Sequence, residues 1–154
     1  RSTLEIRSIG AIKMKEKELL KYKITASSIS NQDATIHIKQ SEIDFGTTPE
    51  ATETLPSPAE LYLGAFSACM LKNVERFSGM MHFTYSKATV EVNATRLENP
   101  PRMDQIDYKL TIYTNDAKLN TELLKKNIEK FGTIYNTVKL SCSITGSIDT
   151  VDND

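Results

Sequence analysis

The chemistry this chain offers rests on two cysteines, Cys69 and Cys142. Thiolate is the nucleophilic form of cysteine, so what surrounds each sulfur decides its role. Cys69 is followed by Lys72, Asn73 and Arg76. At about 100° per helical residue, Arg76 falls nearly in line with Cys69. Helical side chains lean toward the N-terminus, so Lys72 and Arg76 tilt toward the sulfur. Two cations beside a thiol favour the thiolate. The plain alternative is a core cysteine in an apolar helix, with Lys72 and Arg76 marking where that helix meets water. Cys142 alternates with Val138, Leu140 and Ile144 and reads as a structural residue on the apolar face of a final strand. His37 and His82 have no Cys, Asp or Glu at metal-ligand spacing, and no glycine-rich phosphate loop occurs. Neither a metal nor a cofactor is expected.

The element that must position Cys69 is the stretch 57–79, SPAELYLGAFSACMLKNVERFSG. Ser57 suits an N-cap, Pro58 the first helical position and Glu60 the third position of a capping box. From 61 to 71 nearly every residue is apolar or small, which predicts a central helix buried on several sides. Charges at Lys72, Glu75 and Arg76 follow too soon for a membrane span. Leu63, Ser67, Met70, Val74, Phe77 and Met81 form one stripe, the expected core seam. Cys69 lies beside that seam, on a face that continues toward the N-terminus as Tyr62, Ala65 and Phe66. Tyr62 and Phe66, with the loop expected over 41–56, are therefore candidates to line a substrate pocket.

The remaining elements follow from periodicity. Leu4 and Ile6, Ile12 and Met14, Leu20, Tyr22 and Ile24, and Ile36 and Ile38 alternate with polar residues, predicting short strands before the helix. Residues 27–33, SSISNQD, read as a turn, and the polar stretch 41–56 with Gly46, Pro49 and Pro56 reads as a loop. After the helix, Ala88, Val90, Val92 and Ala94 share one strand face, and Ile106, Tyr108, Leu110 and Ile112 another. LENPPRMDQ between them reads as a loop because of its adjacent prolines. A second helix is expected over 119–131, capped by Gly132, and then the final strand. The order predicts an α+β domain over 1–150, with residues 151–154 fraying.

Composition sets outer bounds. The 154 residues carry a formal net charge of −1, and no basic cluster with interleaved aromatics occurs, so nucleic acid is not an expected partner. No membrane span or secretion signal is visible, and two cysteines far apart suit a reducing compartment. A cytoplasmic location is expected.

SPAELYLGAFSACM resembles the signature helix of the OsmC-like and organic hydroperoxide resistance superfamily, in which a Pro-x-Glu-Leu entry leads to a reactive cysteine. FGTIYNTV resembles the segment after the family's second helix. The resemblance implies an OsmC-like fold: antiparallel sheets around a long buried central helix and a second helix, in an intertwined homodimer with the site near the interface. It implies reduction of organic hydroperoxides, with Cys69 as the peroxidatic thiol and an external thiol, such as a reduced lipoyl group, as reductant. The family's resolving cysteine would fall where this chain has Gly132, and Cys142 lies ten residues further on. The family's N-terminal Arg has no counterpart between Arg7 and Arg76, unless Lys13, Lys15 or Lys17 replaces it. In the hydroperoxide branch a Glu directly follows the Pro; here Ala59 stands there, and Glu60 points about 180° from Cys69. Glu60 is thus assigned to the cap ahead of thiolate support, and the chain to a divergent OsmC-like branch.

Two function classes remain. One is a thiol-dependent peroxidase acting in oxidative stress through Cys69, with Arg76 or Lys72 holding the thiolate. The other is a non-catalytic OsmC-like dimer that binds a small molecule or senses redox state.

Overall fold

The computed structural model describes residues 19–153. The strand pairs expected at Leu4 and Ile6 and at Ile12 and Met14, and the lysines at 13, 15 and 17, lie outside the described residues. The chain divides into two compact units between Leu55 and Pro56. The division falls in the polar, proline-bearing stretch 41–56.

The first unit is a three-stranded antiparallel sheet of β1 (Thr25–Ser28), β2 (Ala34–Ile38) and β3 (Ser41–Phe45), in that order. Asn31 takes a left-handed φ of 63° in the β1–β2 turn, a conformation Asn tolerates well. The register puts Ala26, Ile36 and Ile43 opposite one another on one face. His37 and Glu42 pair on the other face, with Nδ1 and Oε1 3.1 Å apart. β3 corrects the loop expected over 41–56: Ile43 and Phe45 keep the period of two that their polar neighbours disguise. Leu20, Tyr22 and Ile24 alternate but precede β1 and are exposed. A single 3₁₀ turn, Pro49–Ala51, follows β3.

The second unit is built around α1 (Pro58–Met80). β4 (Lys87–Leu97) and β5 (Arg102–Tyr113) pair antiparallel, and β6 (Ile144–Val151) joins the other edge of β5 in parallel. α2 (Thr121–Phe131) and α3 (Thr133–Val138) make the crossover between β5 and β6. Ile106, Tyr108, Leu110 and Ile112 on β5 are at most 1% exposed and pack with Met70, Val74 and Phe77 of α1 and Leu124 and Ile128 of α2. Burying a side chain of this size stabilises by roughly 1.5–3 kcal/mol, so this face of β5 is the main apolar support of the unit. Gly146 on β6 lies opposite Tyr108, where a Cβ would stand 2.1 Å from the Tyr108 ring. Only glycine leaves room for that ring.

Three expectations are corrected here. LENPPRMDQ is loop only over 98–101, since the prolines sit in the turn itself and Arg102 already belongs to β5. The expected strand through Val138, Leu140 and Cys142 is absent. Tyr135, Val138 and Cys142 are buried while Leu140 is 85% exposed, which is helical spacing followed by a turn. The tail is held at Val151 and Asn153 where fraying was expected: Val151 pairs with Tyr113, and the Asn153 amide N–H donates to Asn115 Oδ1 at 2.8 Å. The α+β class itself holds, with two small sheets and the long helix. Among the described residues, no helix is long and apolar enough to cross a membrane.

Candidate functional site

α1 begins with a complete capping box. The Glu60 amide donates to Ser57 Oγ at 3.2 Å, and the Ser57 amide donates to Glu60 Oε1 at 3.1 Å. Glu60 is therefore engaged at the helix start, nine residues before the thiol. Cys69 sits mid-helix, a free and partly exposed cysteine.

Two groups define its surroundings. One turn further on, Asn73 is 8% exposed, and its Nδ2 donates to the Cys69 carbonyl at 2.8 Å and approaches Cys69 Sγ at 3.6 Å. Across from α1, the corner between α2 and α3 closes on the sulfur. A Cβ on Gly132 would stand 3.2 Å from Cys69 Sγ, 3.1 Å from Tyr135 Cβ and 2.8 Å from the Ile128 carbonyl. Gly132 has φ −68°, which any residue adopts, so lack of room and not backbone freedom favours glycine there. The Gly132 amide donates to Ile128 at 2.8 Å and the Asn136 amide to Gly132 at 2.9 Å, fixing the corner.

A tyrosine–carboxylate cluster braces it. Tyr108 donates its hydroxyl to Glu129 Oε1 at 2.9 Å, and Lys125 Nζ lies 3.3 Å from the same oxygen. Burial, then the Glu129 charge and hydrogen bond, push the Tyr108 hydroxyl far up from its ordinary range. Burial and Glu129 also raise Tyr135. The Tyr108 phenol keeps its proton and serves as the donor.

The structure distributes the residues singled out in the sequence unequally. Phe66 is fully buried, its ring 6.2 Å from that of Tyr108 and 6.0 Å from that of Tyr135. It is a core residue and not an exposed pocket wall. Tyr62 is 36% exposed, and its hydroxyl lies against Cys142 and Ser141. Burial, then the neighbouring Cys142, raise its pKa. Cys142 is 8% exposed and its Sγ donates to the Met103 carbonyl at 3.2 Å. The Arg76 guanidinium lies 5.4 Å from the Phe77 ring centroid and 5.9 Å from that of Phe131, a cation–π arrangement. Lys72 is exposed on α1. Among the described residues, no group of three or more His, Cys, Asp or Glu could hold a metal ion.

Sequence reasoning placed Asn73 on the thiol face without a role, and read Gly132 as a helix cap. A buried amide four residues from a cysteine was a signal for the first. Nothing local signals the second, because the contact joins residues 63 positions apart. The resulting site is a partly exposed sulfur with an N–H donor on one side and packed backbone on another, suited to attack on a small electrophile.

Comparison with known proteins gives the same fold. An OsmC-like protein from Mycoplasma pneumoniae has 21% identity and a TM-score of 0.75 over 86% of this chain and 98% of its own. An OsmC-like protein of unknown function from Vibrio cholerae has 13% identity and a TM-score of 0.71, over 84% and 99% of the two chains. An organic hydroperoxide resistance protein from Legionella pneumophila has 13% identity and a TM-score of 0.60, over 85% and 99%. No curated protein matches the sequence. The family model described as OsmC-like protein matches residues 50–147, well over half of the chain and the whole of the Cys69 and Gly132 neighbourhood, so the chain belongs to the OsmC-like family.

Proposed function

We propose that this protein is a one-cysteine thiol peroxidase of the OsmC-like family, reducing organic hydroperoxides through Cys69. The observation that carries the reading is the thiol itself: free, partly exposed, and joined by an amide donor on the central helix. The Cys69 thiolate attacks the terminal oxygen of R–O–OH, the O–O bond breaks, and RO⁻ leaves to take a proton from water. Sulfur is oxidised to the sulfenic acid and the peroxide is reduced to ROH. With glycine at 132, an external thiol resolves the sulfenic acid, forming a mixed disulfide and water. A second thiol then releases Cys69–SH and a disulfide. The names of similar structures, which include organic hydroperoxide resistance proteins, support the substrate class.

The working form is a homodimer in the cytoplasm. Ile43 stands exposed on the apolar side of the first sheet, and Gly64, Ala65 and Ala68 stand exposed on α1. Such surfaces call for cover, and a second copy over Ala65 and Ala68 would lie beside Cys69. A second reading, redox sensing or ligand binding without turnover, draws on Gly132, which leaves an oxidised Cys69 without an internal thiol at that corner.

Cumene hydroperoxide consumption with dihydrolipoamide, comparing the native chain with Cys69→Ser, tests the proposal. Turnover lost in Cys69→Ser supports it. Stoichiometric oxidation of Cys69 without turnover favours the sensor, and an inert Cys69 removes both.

A further inference from the structure

The polar group that the described residues bring to the Cys69 sulfur is an amide, and not either of the two cations that the sequence suggested. Arg76 is committed to the faces of Phe77 and Phe131, at 5.4 and 5.9 Å from their centroids. Asn73 approaches Cys69 Sγ at 3.6 Å, a normal length for an N–H···S contact, while its Nδ2 also donates to the Cys69 carbonyl at 2.8 Å. The amide has two N–H groups, so one can serve the carbonyl and the other the sulfur.

Asn73 is an unusual residue for its place. It is 8% exposed beside Met70, Val74 and Phe77, on a helix face where an aliphatic side chain would add apolar burial. Asparagine in a helix interior forgoes helix propensity, and a side chain bonded to the carbonyl four residues back slightly destabilises the helix. Helix stability therefore does not account for it. Gly132 meanwhile fills the opposite side with backbone, so no side chain of its own reaches the sulfur from there.

We infer that Asn73 is a catalytic residue of the Cys69 site, donating a hydrogen bond that favours the thiolate over the thiol. The inference rests on the thiol chemistry proposed above. A hydrogen bond to a charged acceptor is stronger than one to its neutral form, so the donor favours the ionised sulfur in proportion to that difference. The donor stays neutral and keeps its proton as the sulfur is oxidised.

The test is the pH profile of Cys69 alkylation by iodoacetamide in the full chain, with Cys142→Ser as background. Asn73→Leu removes the donor and keeps the volume. Asn73→Asp keeps the shape and replaces the donors with acceptors. Circular dichroism melts confirm that each variant is folded. The expected result is an upward shift of the alkylation midpoint by about one pH unit in Asn73→Leu. The shift in Asn73→Asp is larger. Unchanged midpoints in whichever variants fold overturn the inference, leaving the amide as a bond to the helix carbonyl alone. Peroxide consumption, measured in parallel, keeps the two claims apart. A shift without turnover in the native chain removes the peroxidase reading and leaves Asn73 in place; turnover with no shift does the reverse.

Discussion

The sulfur of Cys69 lies 3.2 Å from the point where Gly132 would carry a Cβ. That spacing brings position 132 within covalent reach of the thiol, since a disulfide bond is about 2 Å long. Gly132→Cys should therefore form an intramolecular disulfide with Cys69 on mild oxidation, after a small shift away from the Ile128 carbonyl. Mass spectrometry of the non-reduced chain should find two hydrogens lost and the peptides of 69 and 132 linked. Persistence of two free thiols at those positions after treatment with hydroperoxide would contradict the geometry.

The two native cysteines should differ in reactivity. Cys142 is buried with its Sγ donating to the Met103 carbonyl, whereas Cys69 is partly exposed. Under native conditions a maleimide should label Cys69 at least tenfold faster than Cys142, a gap of about 1.4 kcal/mol. Peptide mapping at short times measures it, and equal rates would contradict the burial.

Gly146→Ala should be among the most damaging small substitutions in the second unit. Its Cβ would fall 2.1 Å from the ring of Tyr108, which is fully buried and hydrogen-bonded to Glu129. Neither partner can yield without opening the sheet, so a loss of about 3 kcal/mol is expected. Urea denaturation followed by circular dichroism measures it.

Asp104 should make part of the stability depend on acid. Its carboxylate accepts from the Ser143 amide and from the Gln105 amide, each at 2.8 Å, and these bonds hold its pKa below the ordinary aspartate value. A depressed folded-state pKa gives stability that is present above the unfolded value of about 3.9 and lost as pH falls through the lower folded value. Asp104→Asn should lower the melting temperature near neutrality and flatten its fall below pH ~4 relative to the native chain. Parallel melting curves across that range would rule this out.

The helix that holds the thiol was legible because its signals are local. A cap at Ser57, a proline at 58 and an apolar run give both its start and its length, 58–80 as observed against 57–79 as read. The faces of β4 and β5 were legible for the same reason, since alternation is written along the strand. What escaped was settled by packing. Val138, Leu140 and Cys142 alternate in composition, yet α3 turns the first inward and the following turn leaves Leu140 in water. β3 was hidden because Glu42 and Asp44 dominate its composition. At the site, the cysteine was legible, but its neighbours were chosen by tertiary contact: Arg76 goes to Phe131 rather than to the sulfur. Gly132 arrives from a different helix.

The crossover from β5 to β6 has a temporal meaning as well as a spatial one. β6 pairs with β5 in parallel, so α2 and α3 are anchored at both ends only when the last strand has docked. During synthesis Cys69 leaves the ribosome more than sixty residues before Gly132, and α1 has no corner to lean on in that interval. The nascent thiol is thus open to oxidants until the α2–α3 corner has been made and has docked against it.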